Sequence, residues 1–464
     1  MTERSRFHPV YSLVILKKPA IVLAVPPLAA LRDRDLEALF RALGQELALT
    51  LLLLLLGVFL WRQAGWRLEN DTLYWRRGFF GPAATGSLKP RNLACAAVVR
   101  SWYLRPIGAV RLELGLETGE TLHFYLSRPA AQALAETLLP SSGPGRDLTP
   151  KAGEKALLAL LNCDLFATLV VLGVSMHNTS QLFGREWVET LARTGIDRTA
   201  ALLGRWLPAG FAALAAAAFF LAAATLGLAA LRTANYTLTL GEGVLVASGG
   251  LLSPTRWVVR RQSVTCADLR YTPVARLTGR YPLFITAGGF TGSALLLCRG
   301  RDAPRLAELL PTARFMPAVG QDTAGRSLPA FLLRPGLALG LCLAAWWVFL
   351  RSPLLQPMAL WLLPAATALS LGWLWVGFEG WRCDAAALTP AGQPMTITTR
   401  AFTHHHYCLL HASAATLFAN PFSRRVGRCD LFLHLPGRKK VQVKSLRSRE
   451  AKTLTENIKE RYYV

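Results

Sequence analysis

The stretch Arg424-Arg-Val-Gly427-Arg-Cys-Asp-Leu431-Phe-Leu433 begins as a turn and ends as an alternating strand. The chain repeats this skeleton twice, as Arg105-Pro-Ile-Gly108-Ala-Val-Arg-Leu112-Glu-Leu114 and as Arg276-Leu-Thr-Gly279-Arg-Tyr-Pro-Leu283-Phe-Ile285. Each copy reads R-x-x-G-x-x-x-L-x-[L/I]. An internal repeat has to be settled first, because missing it assigns the wrong fold to the whole chain.

The similarity between the copies extends beyond this skeleton. Upstream, residues 94–98, 265–269 and 413–417 align without a gap, and Gly78 and Gly249 lie equally far before their arginines. Downstream, each copy ends in a run whose apolar residues are three and four apart, which predicts a helix. The sequence therefore predicts three repeats of about eighty residues each.

Short β-rich segments, separated by Gly, Pro, Asn and Asp, fill each repeat before its final helix. Such segments predict hairpin strands. A helix after the strands would cover edges that the sheet otherwise exposes. We therefore expect each repeat to be a small β-barrel or sandwich closed by a C-terminal helix.

Apolar runs precede each repeat. The chain is 52% hydrophobic and only 17% charged, which favours a membrane protein. Residues 47–61, 156–176, 206–231, 335–350 and 354–378 are apolar, and a membrane-spanning helix needs about twenty such residues. The shorter run 19–31 lies between basic residues whose side chains can reach the membrane surface, and it lacks the cleavage pattern of a signal peptide.

The predicted fold class is an α+β membrane protein with six transmembrane helices in three hairpins, each followed by one cytoplasmic β-barrel or sandwich. The predicted boundaries are 1–62 for the N-terminus and first hairpin, 63–145 for the first domain, 155–232 for the second hairpin, 233–316 for the second domain, 330–378 for the third hairpin and 379–464 for the third domain.

Charge predicts the location of these domains. The formal net charge is +24, and most of the excess lies in the N-terminal segment and the three repeats, whereas the short connectors are balanced. Positive segments stay on the cytoplasmic side of a membrane. The eight cysteines lack paired spacing, in agreement with a reducing compartment. We expect a multi-pass protein of the bacterial inner membrane with a cytoplasmic N-terminus and cytoplasmic domains.

At Tyr74-Trp-Arg-Arg-Gly78, Leu245-Val-Ala-Ser-Gly249 and Asn420-Pro-Phe-Ser-Arg424-Arg-Val-Gly427 the chain resembles the bacterial pleckstrin-homology-like (PH-like) domain of the second type, found in multi-copy bacterial membrane proteins. The third copy departs from the pattern at its first strand, where Pro390 and Pro394 occur. The resemblance implies a membrane-tethered array of PH-like domains without enzymatic activity. It also implies a partner that is a smaller PH-like membrane protein, and a role in envelope stress or resistance to antimicrobial peptides.

The repeated residues have a structural and a binding interpretation. Glycine permits positive φ or close backbone approach where a turn enters a strand, and arginine can donate to turn carbonyls or bind an anion. Both interpretations apply to the repeated set, which is Gly78, Arg105, Gly108, Gly249, Arg276, Gly279, Arg424 and Gly427.

A basic cluster near the C-terminus is the candidate for contact with anionic lipid. Such clusters gain about 1 kcal/mol per cation at an anionic membrane surface, although a domain beside a membrane is also basic simply to avoid repulsion. The cluster consists of Arg438, Lys439, Lys440, Lys444, Arg447 and Arg449.

Two further polar features stand out. Asp164 falls inside a predicted span, and an ionisable group within a membrane suggests a functional role. Asp164 could pair with Arg334, or it could equally lie near the lipid headgroups.

His404, His406 and Cys408 would share one face of a strand, but their spacing fits no standard zinc pattern. We predict no metal and no cofactor.

No nucleotide-binding, hydrolase or metalloprotease motif occurs in the sequence, so we predict no enzyme. The expected function is a membrane-anchored binding or assembly protein whose partners are membrane lipids, further copies of itself or a smaller PH-like membrane protein, and not nucleic acid. The alternative is a transporter or flippase-like protein with regulatory domains. Transport would require polar residues that converge at mid-membrane, and only Asp164 is clearly ionisable within a predicted span.

Overall fold

The structure is a computed structural model, and it describes a defined part of the 464 residues. The described ranges are 5–12, 36–77, 84–141, 145–161, 194, 197–199, 201–202, 209–288, 290–291, 295–299, 328–351, 356–388, 394–410, 414–435 and 440–462.

The described helices include long apolar ones and short amphipathic ones. They are α1 (Leu36–Gln63), α2 (Arg128–Leu138), α3 (Ala152–Leu161), α4 (Ala209–Thr233), α5 (Pro273–Thr278), α6 (Leu328–Arg351), α7 (Gln356–Cys383), α8 (Pro421–Arg425) and α9 (Ser448–Tyr462). Short 3-10 turns cover Pro90–Asn92, Trp102–Ile107 and Arg261–Ser263.

The first two sheets are antiparallel. The first sheet has the order β1-β2-β3-β4, with strands Ser5–Arg6, Gly65–Glu69, Thr72–Arg77 and Ala84–Leu88. The second has the order β7-β6-β5-β11-β10-β9-β8. Its strands, from β5 to β11, are Leu93–Val99, Ala109–Leu116, Thr121–Ser127, Arg146–Asp147, Thr237–Leu240, Val244–Gly249 and Thr255–Arg260.

The other two sheets follow the same plan. The third has the order β14-β13-β12-β18-β17-β16, with β15 also paired to β13. Its strands, from β12 to β18, are Val264–Tyr271, Arg280–Ala287, Phe290–Thr291, Leu296–Arg299, Ala385–Leu388, Pro394–Arg400 and Thr403–Leu409. The fourth sheet has the order β19-β20-β21, with strands Ala414–Phe418, Arg428–His434 and Lys440–Arg447.

Neighbouring repeats share sheets. Strand β5 of the first repeat pairs with β11 of the second, with Cys95 opposite Val259. Strand β12 of the second repeat pairs with β18 of the third, with Cys266 opposite Leu409. We call these two strand pairs the seams. Because backbone hydrogen bonds cross each seam, the described parts of neighbouring repeats form continuous sheets.

Each repeat also closes over its own core. In the first repeat, Leu73 and Leu88 from the first sheet meet Leu112 and Phe124 from the second, and α2 adds Leu134 from the same side. Burying a leucine or phenylalanine side chain contributes about 1.5–3 kcal/mol. The final helix α9 covers the third core in the same way, through Ala451, Leu454 and Ile458. A helix therefore closes the strands of both of these repeats.

The prediction of six membrane-spanning helices in three hairpins is wrong. Among the described residues, only Leu328–Phe349 in α6 is long and apolar enough to cross a membrane, and the chain is built mainly on four β-sheets. The predicted runs 47–61 and 206–231 overlap with shorter apolar helical stretches, Leu51–Gln63 and Phe219–Thr233, which are too short to count as candidate spans. Helix α7 contains Gly, Ser, Thr and Glu379, which lower its mean hydropathy. The run 19–31 and most of 156–176 lie outside the described residues.

Candidate functional site

The repeated glycines lie at the ends of short helical turns. Gly108, Gly279 and Gly427 have φ of 70°, 63° and 66°, each followed by a strand. This left-handed backbone favours glycine because it lacks a Cβ. Gly249 differs, since it ends β10 with ordinary φ and a Cβ there would lie 3.0 Å from the Tyr236 ring. Gly78 lies outside the described residues.

The repeated arginines do not share one environment. Arg105 donates from Nη2 to the carbonyl oxygens of Leu251 and Leu252, at 2.5 and 2.8 Å, and so ties the first repeat to the β10–β11 turn of the second. Arg276 is exposed and its charge acts on His404 of the third repeat. Arg424 is also exposed, and its guanidinium has no hydrogen-bond or ion-pair partner within the described ranges. The first two arginines therefore face the next repeat.

The predicted basic cluster is spread over β21 and the start of α9. Lys440, Arg447 and Arg449 are exposed, and Arg447 lies 3.8 Å from Glu450. Lys444 is half-buried, with its ammonium 5.9 Å from the centre of the Phe331 ring. Arg438 and Lys439 lie outside the described residues. Of this cluster, Lys444 lines a cavity.

That cavity, of about 690 Å³, lies where the α6–α7 hairpin meets the third repeat. Its size falls within the range of about 300–1,000 Å³ for ligand pockets. Helix α7, the β17–β18 turn and β21 form its walls. The lining residues are Phe331, Ala368, Leu369, Gly372, Trp373, Val376, Gly377, Gly380, Asp384, Thr398, Thr399, Arg400, Ala401, Phe402, Gln442 and Lys444.

Local backbone geometry shapes the cavity. Ala401 and Phe402 have φ of 43° and 66°, the conformation of a tight two-residue hairpin turn, and this turn carries the Phe402 ring over α7. A Cβ at Gly372 would lie 3.4 Å from that ring, and one at Gly377 only 2.8 Å from the carbonyl oxygen of Phe331. Small residues on α7 therefore allow both elements to approach the helix.

Unsatisfied hydroxyl groups mark the polar side of the cavity. The Oγ1 atoms of Thr398 and Thr399 are buried and have no hydrogen-bond partner among the described residues, and Thr398 is only 2% exposed. Leaving a buried hydroxyl unpaired costs about 1–3 kcal/mol. The Asp384 carboxylate is already occupied, because Oδ1 accepts the Thr399 backbone N–H at 2.8 Å. Of the residues that line the cavity, Lys444 supplies an ammonium donor, and Thr398 and Thr399 supply hydroxyls that a side-chain rotation would turn toward an oxygen-rich ligand.

The opposite wall is apolar and continues onto the surface of the hairpin. Leu369 and Trp373 line the cavity and are also 76% and 51% exposed. Farther along α6, Leu337 and Leu341 are 61% and 72% exposed. Contiguous exposed apolar side chains mark a contact surface for protein or membrane.

The polar side chains of the hairpin lie between its two helices. Trp346 Nε1 donates to Thr367 Oγ1 at 3.1 Å, and the Cys342 thiol lies 3.4 Å from the Ser370 hydroxyl. The exposed surface of the hairpin thus carries leucines, and the hydroxyl groups lie between its two helices. In a water-soluble hairpin the polar groups would be outside and the apolar groups inside. Interhelical hydrogen bonds of this kind are common between helices in lipid.

His404, His406 and Cys408 occupy alternate positions of β18 and so share one face of the strand, but each meets different neighbours. His406 packs against the Tyr271 ring at 4.2 Å, and Cys408 is fully buried in the core of the second repeat. His404 instead meets α7, where its Nε2 lies 3.6 Å from Glu379 Oε2. Burial lowers the pKa of His404, the Arg276 charge lowers it further, and Glu379 opposes both.

Glu379, Cys383 and His404 could hold a metal ion, since their ligand atoms all lie within 4.8 Å of one another. Arg382 lies 3.6 Å from Glu379, however, and Arg276 is close enough to act on His404. Both guanidinium charges oppose cation binding. The predicted Asp164–Arg334 pair stays a prediction, because Asp164 lies outside the described residues, while Arg334 is exposed near the start of α6.

Residues 21–142 match the family model of the bacterial PH domain. The match covers the first repeat and the segment before it, so this region is similar to a domain class that suggests a protein-binding or lipid-binding role. Assignment of the whole chain to a family of three-repeat membrane proteins stays a prediction. No curated protein and no solved structure gave a significant match to the chain.

Proposed function

We propose that this protein is a non-enzymatic binding and assembly protein of the bacterial inner membrane, which attaches through the α6–α7 hairpin and binds an anionic membrane lipid in the cavity beside it. The observation that carries the proposal is the combination of unpaired hydroxyls, a lysine and an apolar wall in one cavity. A phosphate headgroup would accept hydrogen bonds from Thr398, Thr399 and Lys444. The acyl chains would lie along Leu369 and Trp373.

The exposed leucines support attachment to the membrane through this hairpin. Helix α6 has 24 residues and is about 36 Å long at 1.5 Å per residue, which exceeds the roughly 30 Å of a bilayer core. Arg351 stacks on Trp347 at 4.0 Å near the end of α6, where aromatic and basic side chains favour the membrane surface. The net charge of +24 supports a cytoplasmic position for the sheets.

The proposal also includes a role in envelope stress or resistance to antimicrobial peptides, and a partner that is a smaller PH-like membrane protein. These parts rest only on the resemblance to bacterial PH-like proteins. The transport alternative depends on Asp164, which lies outside the described residues. Lipid binding is the part of the proposal that the described residues allow us to test directly.

The test measures binding of a fluorescent phosphatidylglycerol to the purified full chain in detergent, with phosphatidylcholine as the neutral comparison. Lys444→Gln removes one charged hydrogen bond, worth about 1.5–3 kcal/mol, so affinity should fall roughly ten- to hundredfold. Thr398→Val keeps the shape and removes one hydroxyl. Competition by inorganic phosphate distinguishes recognition of the headgroup alone from recognition of the whole lipid.

Lys440→Gln is the matched control, because it removes the same charge from an exposed position on the same strand. It should change affinity by less than about fivefold, since a single surface cation contributes about 1 kcal/mol or less. Equal losses for Lys440→Gln and Lys444→Gln would mean that general surface charge attracts the lipid, and would refute the cavity as its site.

A further inference from the structure

The two seams show how one repeat joins the next. In the first seam, β5 of the first repeat pairs antiparallel with β11 of the second repeat. In the second seam, β12 of the second repeat pairs antiparallel with β18 of the third repeat. The alignment of the repeats makes Cys95 and Cys266 equivalent. Counted without a gap from the shared arginines, Val259 corresponds to Tyr407, which lies two residues from Leu409, the partner of Cys266. The same strand pairing thus occurs twice, with a register that differs by two residues.

The third repeat carries the corresponding strand, and among the described residues no further repeat covers it. Strand β19 is the equivalent of β5 and β12, and within the described residues it pairs only with β20, so it forms the edge of its sheet. Its outer end is exposed, with Leu417 at 37% and Phe418 at 60%. By contrast, every residue of β5 is buried, because the next repeat covers it.

The first repeat carries the complementary edge. Strand β4 corresponds to β11 and β18, and in the described structure it pairs only with β3. A 3-10 turn follows it, at Pro90–Asn92, just as the turn Arg261–Ser263 follows β11. Thr85 and Ser87 on this strand are exposed.

We propose that a second copy of this chain binds through these edges, with β19 of one copy pairing antiparallel to β4 of the next. The inference is independent of the proposed lipid site. Open strand edges readily pair with another chain, and here the first seam supplies the register. In that register, residues of β19 in one copy lie opposite residues of β4 in the other copy. The pairs, with the β4 residue second, are Ala414 with Leu88, Ala415 with Ser87, Thr416 with Gly86, Leu417 with Thr85, and Phe418 with Ala84.

The arginine pattern agrees with this assembly. Arg105 bridges the first seam by donating to Leu251 and Leu252 of the next repeat. Arg424 occupies the equivalent position beside β19, exposed and with no partner for its guanidinium among the described residues. Because the contact joins two different surfaces, it leaves one edge open at each end and allows rings or longer chains of copies.

The experiment joins two single variants of the full chain. Ala415→Cys and Ser87→Cys proteins, purified in detergent, are mixed under mild oxidation and separated on a non-reducing gel. Directly opposed residues in an antiparallel pair have Cβ atoms about 4.5–5.5 Å apart, close enough for a disulfide bond after a small adjustment. We expect a dimer in the mixture that reductant abolishes, and none with either variant alone, which controls for the native cysteines.

Thr85→Cys mixed with Ala415→Cys is the offset control, since its cysteine lies two residues away on the same exposed strand. It should yield at least about tenfold less dimer, because diagonal positions are about 7–8 Å apart. Arg424→Ala should weaken self-association of the uncrosslinked chain, as measured by mass photometry, by at least severalfold. Equal crosslinking by the matched and offset pairs, or a folded chain that stays monomeric and forms no crosslink, would overturn the proposal.

Discussion

Replacement of Asp268 by alanine tests the seam between the second and third repeats. Asp268 is 2% exposed in β12. Its carboxylate accepts from Arg270 Nε at 2.9 Å, and both of its oxygens lie 3.2 Å from His405 Nδ1 across the seam. The substitution removes the acceptor that both groups share. Removing one partner of a buried ion pair costs about 3–5 kcal/mol.

The lower end of that range applies here. The Arg270 side chain is 30% exposed and lies over the Phe284 ring at 3.5 Å, so water can partly replace the lost carboxylate. We expect a cost of about 3 kcal/mol, which corresponds to a roughly hundredfold larger population of locally opened seam. Because a chain with several units need not unfold in two states, global melting is the wrong assay.

Hydrogen–deuterium exchange reports the opening of each strand separately. Amides of β12 and β18 should exchange roughly a hundredfold faster in Asp268→Ala, with those of the first sheet unchanged. Glu69→Ala is the control, because its 3.5 Å pair with Arg67 is about half exposed and such pairs contribute about 1 kcal/mol or less. Unchanged protection at the seam would refute the argument that this buried network holds the repeats together.

The effect also has a defined pH dependence. Burial alone would raise the pKa of Asp268, but the His405 hydrogen bond and the Arg270 charge outweigh it and hold the pKa below its ordinary value. The opened state therefore binds more protons than the closed state, so stability rises with pH. The stabilisation is fully present above about pH 4 and is lost as pH falls through the folded-state pKa. The difference between wild type and Asp268→Ala, compared at equal pH, should shrink in acid.

Three smaller changes test other contacts. Gly288→Ala should destabilise the chain by more than about 2 kcal/mol, because φ is 53° and the new Cβ would lie 2.6 Å from a carbonyl oxygen. Gly108 has open space around it, so Gly108→Ala should destabilise the chain by only about 1–2 kcal/mol. The midpoints of denaturant unfolding compare the two variants. Trp61→Phe removes the 2.7 Å hydrogen bond to the Phe7 carbonyl and should cost about 1 kcal/mol, seen as faster proteolysis of the N-terminal segment. Asn420→Ala removes the side-chain cap of α8 and should cost about 1 kcal/mol, seen as faster amide exchange there.

The local part of this structure could be predicted from the sequence, because short-range rules determine it. The R-x-x-G skeleton predicts a turn that leads into a strand, and Gly108, Gly279 and Gly427 each have the positive φ that such a turn needs. The last helix follows from apolar spacing alone, since Leu454 and Ile458 lie four residues apart and both face the core.

The apolar runs misled the sequence analysis because length is a weaker criterion than hydropathy. Helix α4 is rich in alanine, which contributes little to membrane transfer. The exposed leucines of α6 and the buried hydroxyls of the hairpin, by contrast, become informative only when the two helices are seen side by side. The pairing of Thr367 with Trp346 depends on how α7 folds back, which no local pattern specifies.

The cavity could not have been predicted for a related reason. Lys444 was identified for its charge, but its neighbour Phe331 is more than a hundred residues away in sequence. Thr398 carries no sequence signal at all, since a threonine in a strand ordinarily packs or meets water. Only the closed hairpin turn at Phe402 and the small residues on α7 leave its hydroxyl facing an enclosed space.

The first seam has a signal in the sequence. Leu93–Val99 is apolar throughout, and continuous apolar strands are typical of the middle of a sheet covered on both faces. Val264–Tyr271 contains Thr265, Asp268 and Arg270 and carries no such signal. Ala414–Phe418 occupies the same place in the third repeat, yet its residues are half-buried or exposed. Within the described residues, the same skeleton is therefore interior twice and peripheral once. Each interior strand is covered by a strand of a neighbouring repeat, and the proposed assembly would supply the equivalent contact to Ala414–Phe418.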